Sequence, residues 1–163
     1  MHHYTESGLD HVWLRDGFVA QDFGAYGRAV AVEDERVLWR VLGRAIARQD
    51  RRMTGQELRF LRSVLDWTQT DLGARLGYAD HQMVARWERN RHAVVPLHAD
   101  VVLRACYLES LGEPPMVARV SHRLAELAII PGTGTGAEPR RVLVERRGGT
   151  WVAEEAPAEM ELA

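Results

Sequence analysis

The chain contains no lysine; all 21 of its basic residues are arginine. Every cation therefore carries a planar fork of donors suited to carboxylate, phosphate or guanine, rather than a point charge. Cys106 is the only cysteine, which excludes an intramolecular disulfide and any multi-cysteine zinc site. Set in an apolar run, that thiol is expected to behave as a small hydrophobe. No apolar stretch is long enough to span a bilayer, and no secretory leader is legible. The expectation is a cytoplasmic chain with no membrane partner. Net charge is only −2, so any affinity for nucleic acid must come from a local patch.

Catalytic and metal-binding patterns are also missing. The seven histidines show no metal-ligand spacing with carboxylates or with Cys106. No nucleophile, base and orienting group stand together in the sequence, so an enzyme is not expected and no cofactor is implied. "GTGTG" at 132–136 lacks the spacing and the Lys-Ser/Thr ending of a P-loop, and is read as a linker.

What remains is a globular composition. With 163 residues, 46% apolar and 27% charged, the chain is long enough for one ordinary domain or two small ones. "VWL" and "FVAQDF" read as strands around "RDG", and Asp16-Gly17 signals a hairpin turn. "YGRAVAVE" alternates as a third strand. From Asp34 to Gln49 the period becomes helical. Val37, Leu38, Val41, Leu42, Ala45 and Ile46 form an apolar seam. Arg36, Arg40, Arg44 and Arg48, four residues apart, stack along another face. That stripe suits either phosphates or a solvated face, including pairing with acidic segments such as Glu154 and Glu155. "QDRR" then reads as a short linker.

"TGQE" at 54–57 is a capping box and predicts a helix start. Leu58, Leu61 and Leu65 are its seam. "TQTD" at 68–71 is a second such signal, followed by Leu72, Leu76 and a terminating Gly77. Asp80 is suited to cap a third helix ending near Arg89. Pro96 opens a fourth, with Leu97, Val101, Ala105 and Leu108 expected inward and Gly112 as its stop. A fifth helix fits 116–128. "RVLVERRGGTWVAEE" reads as a hairpin turning at Gly148-Gly149, and the acidic end as loose. Trp151 on this hairpin is available either for a dimer contact or for an intramolecular core.

The stretch "QMVARWERNRH" at 82–92 combines an apolar seam with long cationic and amide side chains. Val84 and Trp87 lie one turn apart and should pack against Leu61, Leu65 and Leu72. His81, Gln82, Ala85 and Arg86 are left facing out. Two short helices joined by a tight turn at Gly77 give the helix-turn-helix order, in which the second helix enters the major groove. Glutamine can bind adenine through two hydrogen bonds, and arginine can bind guanine O6 and N7. Met83 suits either a thymine methyl or packing. Arg89 and Arg91 follow this helix and are placed to hold DNA backbone.

"LRFLRSVLDWTQTDLGARLGYADHQMVARWERNR" resembles the Cro- and lambda-repressor-like (Xre-type) family. The resemblance rests on the TQ opening helix two, the LG at its end and V-A-R-W-E in helix three, and covers about a third of the chain. The flanking "YTESGLDHVWLRDGF" and "MTGQELRFLR" look like a subgroup often labelled as bacterial regulators. The resemblance implies that His81, Gln82 and Arg86 read bases. It implies that Gln69 grips phosphate, where a helix N-terminus also favours an anion. It further implies that Arg62 pairs with Glu88 to tie helix three to the scaffold. The run between LG and V-A-R-W-E is one residue longer than usual, and the extra residue is expected in the turn at Tyr78 or Ala79.

The expected fold is α+β and mainly α. A central lambda-repressor-like domain of four to five helices is flanked by a small N-terminal hairpin-and-helix unit and a C-terminal hairpin. The expected divisions are 1–52, 53–113 and 114–163. The expected function is sequence-specific binding of double-stranded operator DNA by a dimeric repressor. The alternative is an antitoxin that covers a toxin protein and autoregulates its operon. The helix-turn-helix block is similar to that of antitoxins which neutralise RNA-cleaving toxins; those usually carry a zinc-binding N-terminal domain, for which this chain lacks the cysteines. A third reading makes the N-terminal part a ligand sensor.

Overall fold

The computed structural model describes residues 1–113 and 141–156. The fifth helix expected over 116–128, the Gly-rich link and the end of the acidic tail lie outside them. Among the described residues the protein has five α-helices and two small sheets, and its class is α+β. None of these helices is long and apolar enough to cross a membrane. The chain splits into two compact units. One unit runs from Met1 to Leu42 and includes the C-terminal strands; the other begins at Gly43. The physical reason is a strand pairing between the two ends of the chain.

In the first unit, β1 (His2–His3), β2 (Val12–Leu14), β5 (Arg141–Arg147) and β6 (Thr150–Ala156) form one sheet in the order β1-β2-β5-β6. β2 runs parallel to β5, with Val12 opposite Val142 and Leu14 opposite Val144. β5 and β6 form the expected hairpin, and Gly148 and Gly149 at its turn have φ of 58° and 83°. Only glycine adopts two such angles in succession at little cost. β3 (Phe18–Asp22) and β4 (Arg28–Val32) make a separate antiparallel ribbon.

The hairpin expected at Asp16-Gly17 is therefore absent. There the chain leaves one sheet and enters the other. Asp16 accepts the backbone N–H of Arg146 at 2.5 Å. Gly17 has φ of 73°, and a Cβ on it would lie 2.3 Å from the Trp151 ring. Trp151 is 3% exposed and donates its indole N–H to the carbonyl of Glu33 at 3.2 Å. It belongs to the intramolecular core and presents no exposed aromatic for a partner. Tyr4, Leu9, Val12, Leu14, Leu38, Leu42, Val142 and Val144 are buried with it. Tyr4 donates its hydroxyl proton to Glu35 at 2.6 Å and accepts the Trp39 indole N–H at 2.8 Å. Burial and the neighbouring Glu35 carboxylate raise the Tyr4 hydroxyl above the ordinary phenol range.

Helix α1 (Glu35–Arg48) follows the helical period of its sequence, with Leu38, Leu42, Ile46 and Ala47 buried. Val37, expected on that seam, is instead 45% exposed. In the second unit, Arg44 and Arg48 meet Glu113 at 2.8 and 2.6 Å. Arg48, and with it Arg44, holds the Glu113 carboxyl below its usual range.

Four further helices build this unit: α2 (Gly55–Val64), α3 (Gln69–Arg75), α4 (Gln82–Arg89) and α5 (Leu97–Ser110). α2 starts at the expected box, where Glu57 accepts the Thr54 backbone N–H at 2.8 Å. Its first donors are satisfied by the segment after α4, Gly55 N–H to Ala93 at 3.0 Å and Gln56 N–H to Arg91 at 2.9 Å. "QDRR" is an ordered joint. Arg51 makes a two-pronged contact with the buried Glu57, at 3.0 and 2.5 Å. Arg52 donates to the carbonyl of Val95 at 2.6 Å.

α5 turns a different face inward from the one its leucine and valine pattern predicts. Leu97, Val101, Ala105 and Leu108 are half-buried, while Ala99, Asp100, Leu103, Arg104 and Tyr107 are buried. An ion pair one turn apart decides the rotation. Arg104 donates to Asp100, whose other oxygen accepts the Met53 N–H at 2.5 Å. The same guanidinium donates to the carbonyls of Ile46 at 3.0 Å, Gln49 at 3.0 Å and Arg51 at 2.7 Å. It closes the C-terminal end of α1, whose carbonyls lack helical partners. Arg104→Ala should therefore cost about 3–5 kcal/mol in urea unfolding, because Asp100 is left charged and buried. Replacing both partners by apolar residues should cost less than the sum of the single losses.

Candidate nucleic-acid interface

α3, the turn after it and α4 are positioned by local chemistry that is visible residue by residue. Thr68 and Asp71 reciprocate at the start of α3. The Asp71 carboxylate accepts the Thr68 N–H at 2.7 Å, and the Thr68 hydroxyl accepts the Asp71 N–H at 3.0 Å. Gly77, with φ of 82°, ends the helix. A Cβ on Gly73 would lie 2.6 Å from the carbonyl oxygen of Asp80, so the chain can fold back this closely only over glycine. Asp80 then accepts the N–H of Gln82 at 2.9 Å. His81 is the N-cap of α4, and Tyr78 to Asp80 lie before it.

α4 divides cleanly into two faces. Val84, Trp87 and Glu88 are buried, whereas His81, Gln82, Arg86 and Arg89 are exposed. Gln82, Arg86 and Arg89 recur at spacings of four and three, which makes one stripe along the helix. Ala85 and Met83 are half-buried at its margins. Trp87 packs edge-on against Tyr78 and His98, with ring centroids 5.7 and 5.9 Å away. Its backbone carbonyl lies 2.1 Å from where a Cβ on Gly55 would be, so α2 and α4 meet without an intervening side chain.

The ion pair expected from the resemblance is present. Arg62 of α2 grips Glu88 of α4 through two nitrogens, at 2.5 and 3.0 Å, and donates a third N–H to the carbonyl of Trp67 at 2.6 Å. Glu88 is only 5% exposed. Its charge is thus neutralised beneath the helix and is not presented beside Arg86 and Arg89. Gln69 joins the same group. It is half-buried, and its amide N–H₂ donates to Glu88 at 2.8 Å. One N–H of that amide remains for an outside acceptor. Arg91 is half-buried and donates to Gln56 at 3.2 Å, which separates it from the more open Arg89.

The sequence reading missed the Gln69 contact, the Tyr78–His98–Trp87 cluster and the stacking of Arg75 over Trp67, 3.9 Å from the ring centroid. These contacts arise only when the turn closes, and no residue spacing announces them. No metal-binding cluster of His, Cys, Asp or Glu is formed among the described residues. The free Cys106 is half-buried, and desolvation raises its thiol above the ordinary range.

No family model, curated protein or solved structure matches the chain.

Two outcomes test this construction. Arg62→Ala leaves a buried carboxylate without its cation and should cost about 3 kcal/mol or more in chemical unfolding. The second concerns pH. The Thr68 hydroxyl and N–H hold the Asp71 carboxyl below its usual range. Its contribution is therefore complete above the ordinary carboxylate range and lost as pH falls through the folded value. Asp71→Ala should lower Tm at neutral pH, and the gap from the parent should close in acid.

Proposed function

We propose that this protein is a sequence-specific DNA-binding regulator that blocks transcription by occupying an operator. The observation that carries the reading is the outward stripe of α4. The side chains of Gln82, Arg86 and Arg89 are exposed and have no partner among the described residues, while Val84, Trp87 and Glu88 anchor the opposite side. Long cationic and amide side chains held on a rigid helix suit base edges and phosphates. In this proposal the second unit has the lambda-repressor-like arrangement that its resemblance implies. His81, Gln82 and Arg86 face bases. Arg89 and Arg91 hold phosphate, and Gln69 does so through its remaining N–H. Glu88 and Arg62 support α4 from beneath.

A helix of eight residues reaches few base pairs. Two copies on a two-fold site would supply the specificity one copy lacks. No cofactor enters this mechanism. Binding is driven by arginine–phosphate contacts and weakens steeply with salt.

Selection from random duplexes by the purified protein, followed by salt titration against a scrambled duplex, tests the reading. The expected result is a two-fold motif bound far more tightly than the scramble. Equal, weak and salt-sensitive binding to both would overturn it. On the selected site, Arg86→Ala should lose about 1–3 kcal/mol and relax preference at one base, whereas Arg89→Ala should weaken binding to all sequences.

A further inference from the structure

We infer that the outer edge of β4 is where two copies of this chain join, strand to strand, into one four-stranded antiparallel sheet. The inference rests on the proposed regulator only for its need of two copies; the geometry comes from the ribbon itself.

β3 and β4 pair with each other and with no other described strand. A two-stranded ribbon is marginal alone in water, and its open edges invite further pairing. The direction of its hydrogen bonds is settled at both ends. Phe23 donates to Gly27 at 2.9 Å, and Glu33 donates to Gly17 at 3.0 Å. With Phe18 opposite Val32 and Ala20 opposite Val30, the odd-numbered residues turn their N–H and C=O groups inward. The even-numbered residues turn theirs outward. On β4 these are Arg28, Val30 and Val32.

The two edges differ. β3 starts at Phe18 beside the His2 ring, 5.3 Å between centroids, and ends at the carboxylate of Asp22. β4 begins at Arg28, opposite Asp22, and then offers Ala29-Val30-Ala31-Val32, a run with no charge, proline or bulge. Ala29 and Ala31 are exposed, and Val30 and Val32 are half-buried. Val19, 58% exposed, lies opposite Ala31, and the exposed Gln21 lies opposite Ala29 on the same face.

This edge is complementary to itself. Under a two-fold axis at Val30, the Val30 N–H and C=O exchange hydrogen bonds with those of the second Val30. Ala29 then faces the second copy's Ala31, a close pair that two methyl groups fit. No like charges meet at the axis. The four alanines then lie together on one face of the joined sheet, with Val19 and Gln21 of each copy beside them.

Sedimentation velocity and cysteine cross-linking test this together. The parent should sediment as a dimer. Val30→Pro should weaken self-association by about tenfold or more, because both central hydrogen bonds are lost at once. The Val30 N–H points outward, so proline there leaves the β3–β4 ladder intact, and circular dichroism should match the parent. Independently, A29C/A31C in a C106S background should cross-link between copies under mild oxidation. A monomeric parent, or a dimer that survives Val30→Pro and gives no cross-link, would overturn the inference. A dimer lost with Val30→Pro, alongside failure to select any DNA sequence, would keep the interface and sink the regulator reading instead.

Discussion

The second unit depends on a cation that is almost out of water. Arg104 is 5% exposed, and its partner Asp100 is fully buried. Burying such a pair is costly unless every donor and acceptor is used. Here the guanidinium also takes the carbonyls left open at the end of α1 and in the following joint, while Asp100 takes the Met53 N–H. Met53 leads directly into the Thr54–Glu57 box, and Arg51 returns to Glu57. One buried network therefore sets the rotation of α5 and the starting point of α2. Without it, the more apolar face of α5 would be the natural one to bury.

From α2 the constraint passes to α4 by two different contacts. Gly55 lets the start of α2 touch the backbone at the end of α4, and Arg62 reaches Glu88 near the other end of α2. Such double attachment fixes both the height and the rotation of α4. It also sorts charge. The carboxylate of Glu88 is turned under the helix and consumed by Arg62 and Gln69, while Arg86 and Arg89 remain outside. The one carboxylate of α4 is thereby neutralised from behind, and the exposed side of the helix is left cationic. This sorting of charge is local and is not visible in the overall net charge of −2.

The first unit is organised by a different constraint, the parallel pairing of β2 with β5. Parallel neighbours cannot be joined by a tight turn, so a long crossing must separate them. Here most of the chain lies between them. Trp151 closes the arrangement by packing on Gly17 and binding the Glu33 carbonyl. The strand that follows Gly17 is thereby directed into its own ribbon, whose edges no other described strand covers.

Local signals were legible in the sequence. The boxes at Thr54 and Thr68, the stop at Gly77, the Gly148-Gly149 turn and the helical period of α1 each act within one or two turns of chain. So does the division of α4 into Val84 and Trp87 against Gln82 and Arg86, because helical geometry alone assigns those faces. Arg62 and Glu88 came from resemblance, and the distances place them together. Three other features were settled only in the tertiary structure. They are the unmade hairpin at Asp16-Gly17, the inward face of α5 and the attachment of Gln69 to Glu88. Asp-Gly can turn a hairpin, but it can equally let a chain pass beneath a tryptophan. Charged residues read as surface until a partner distant in sequence makes burial favourable. Short-range geometry is written in residue spacing; which desolvated groups find each other is decided only when the chain has closed.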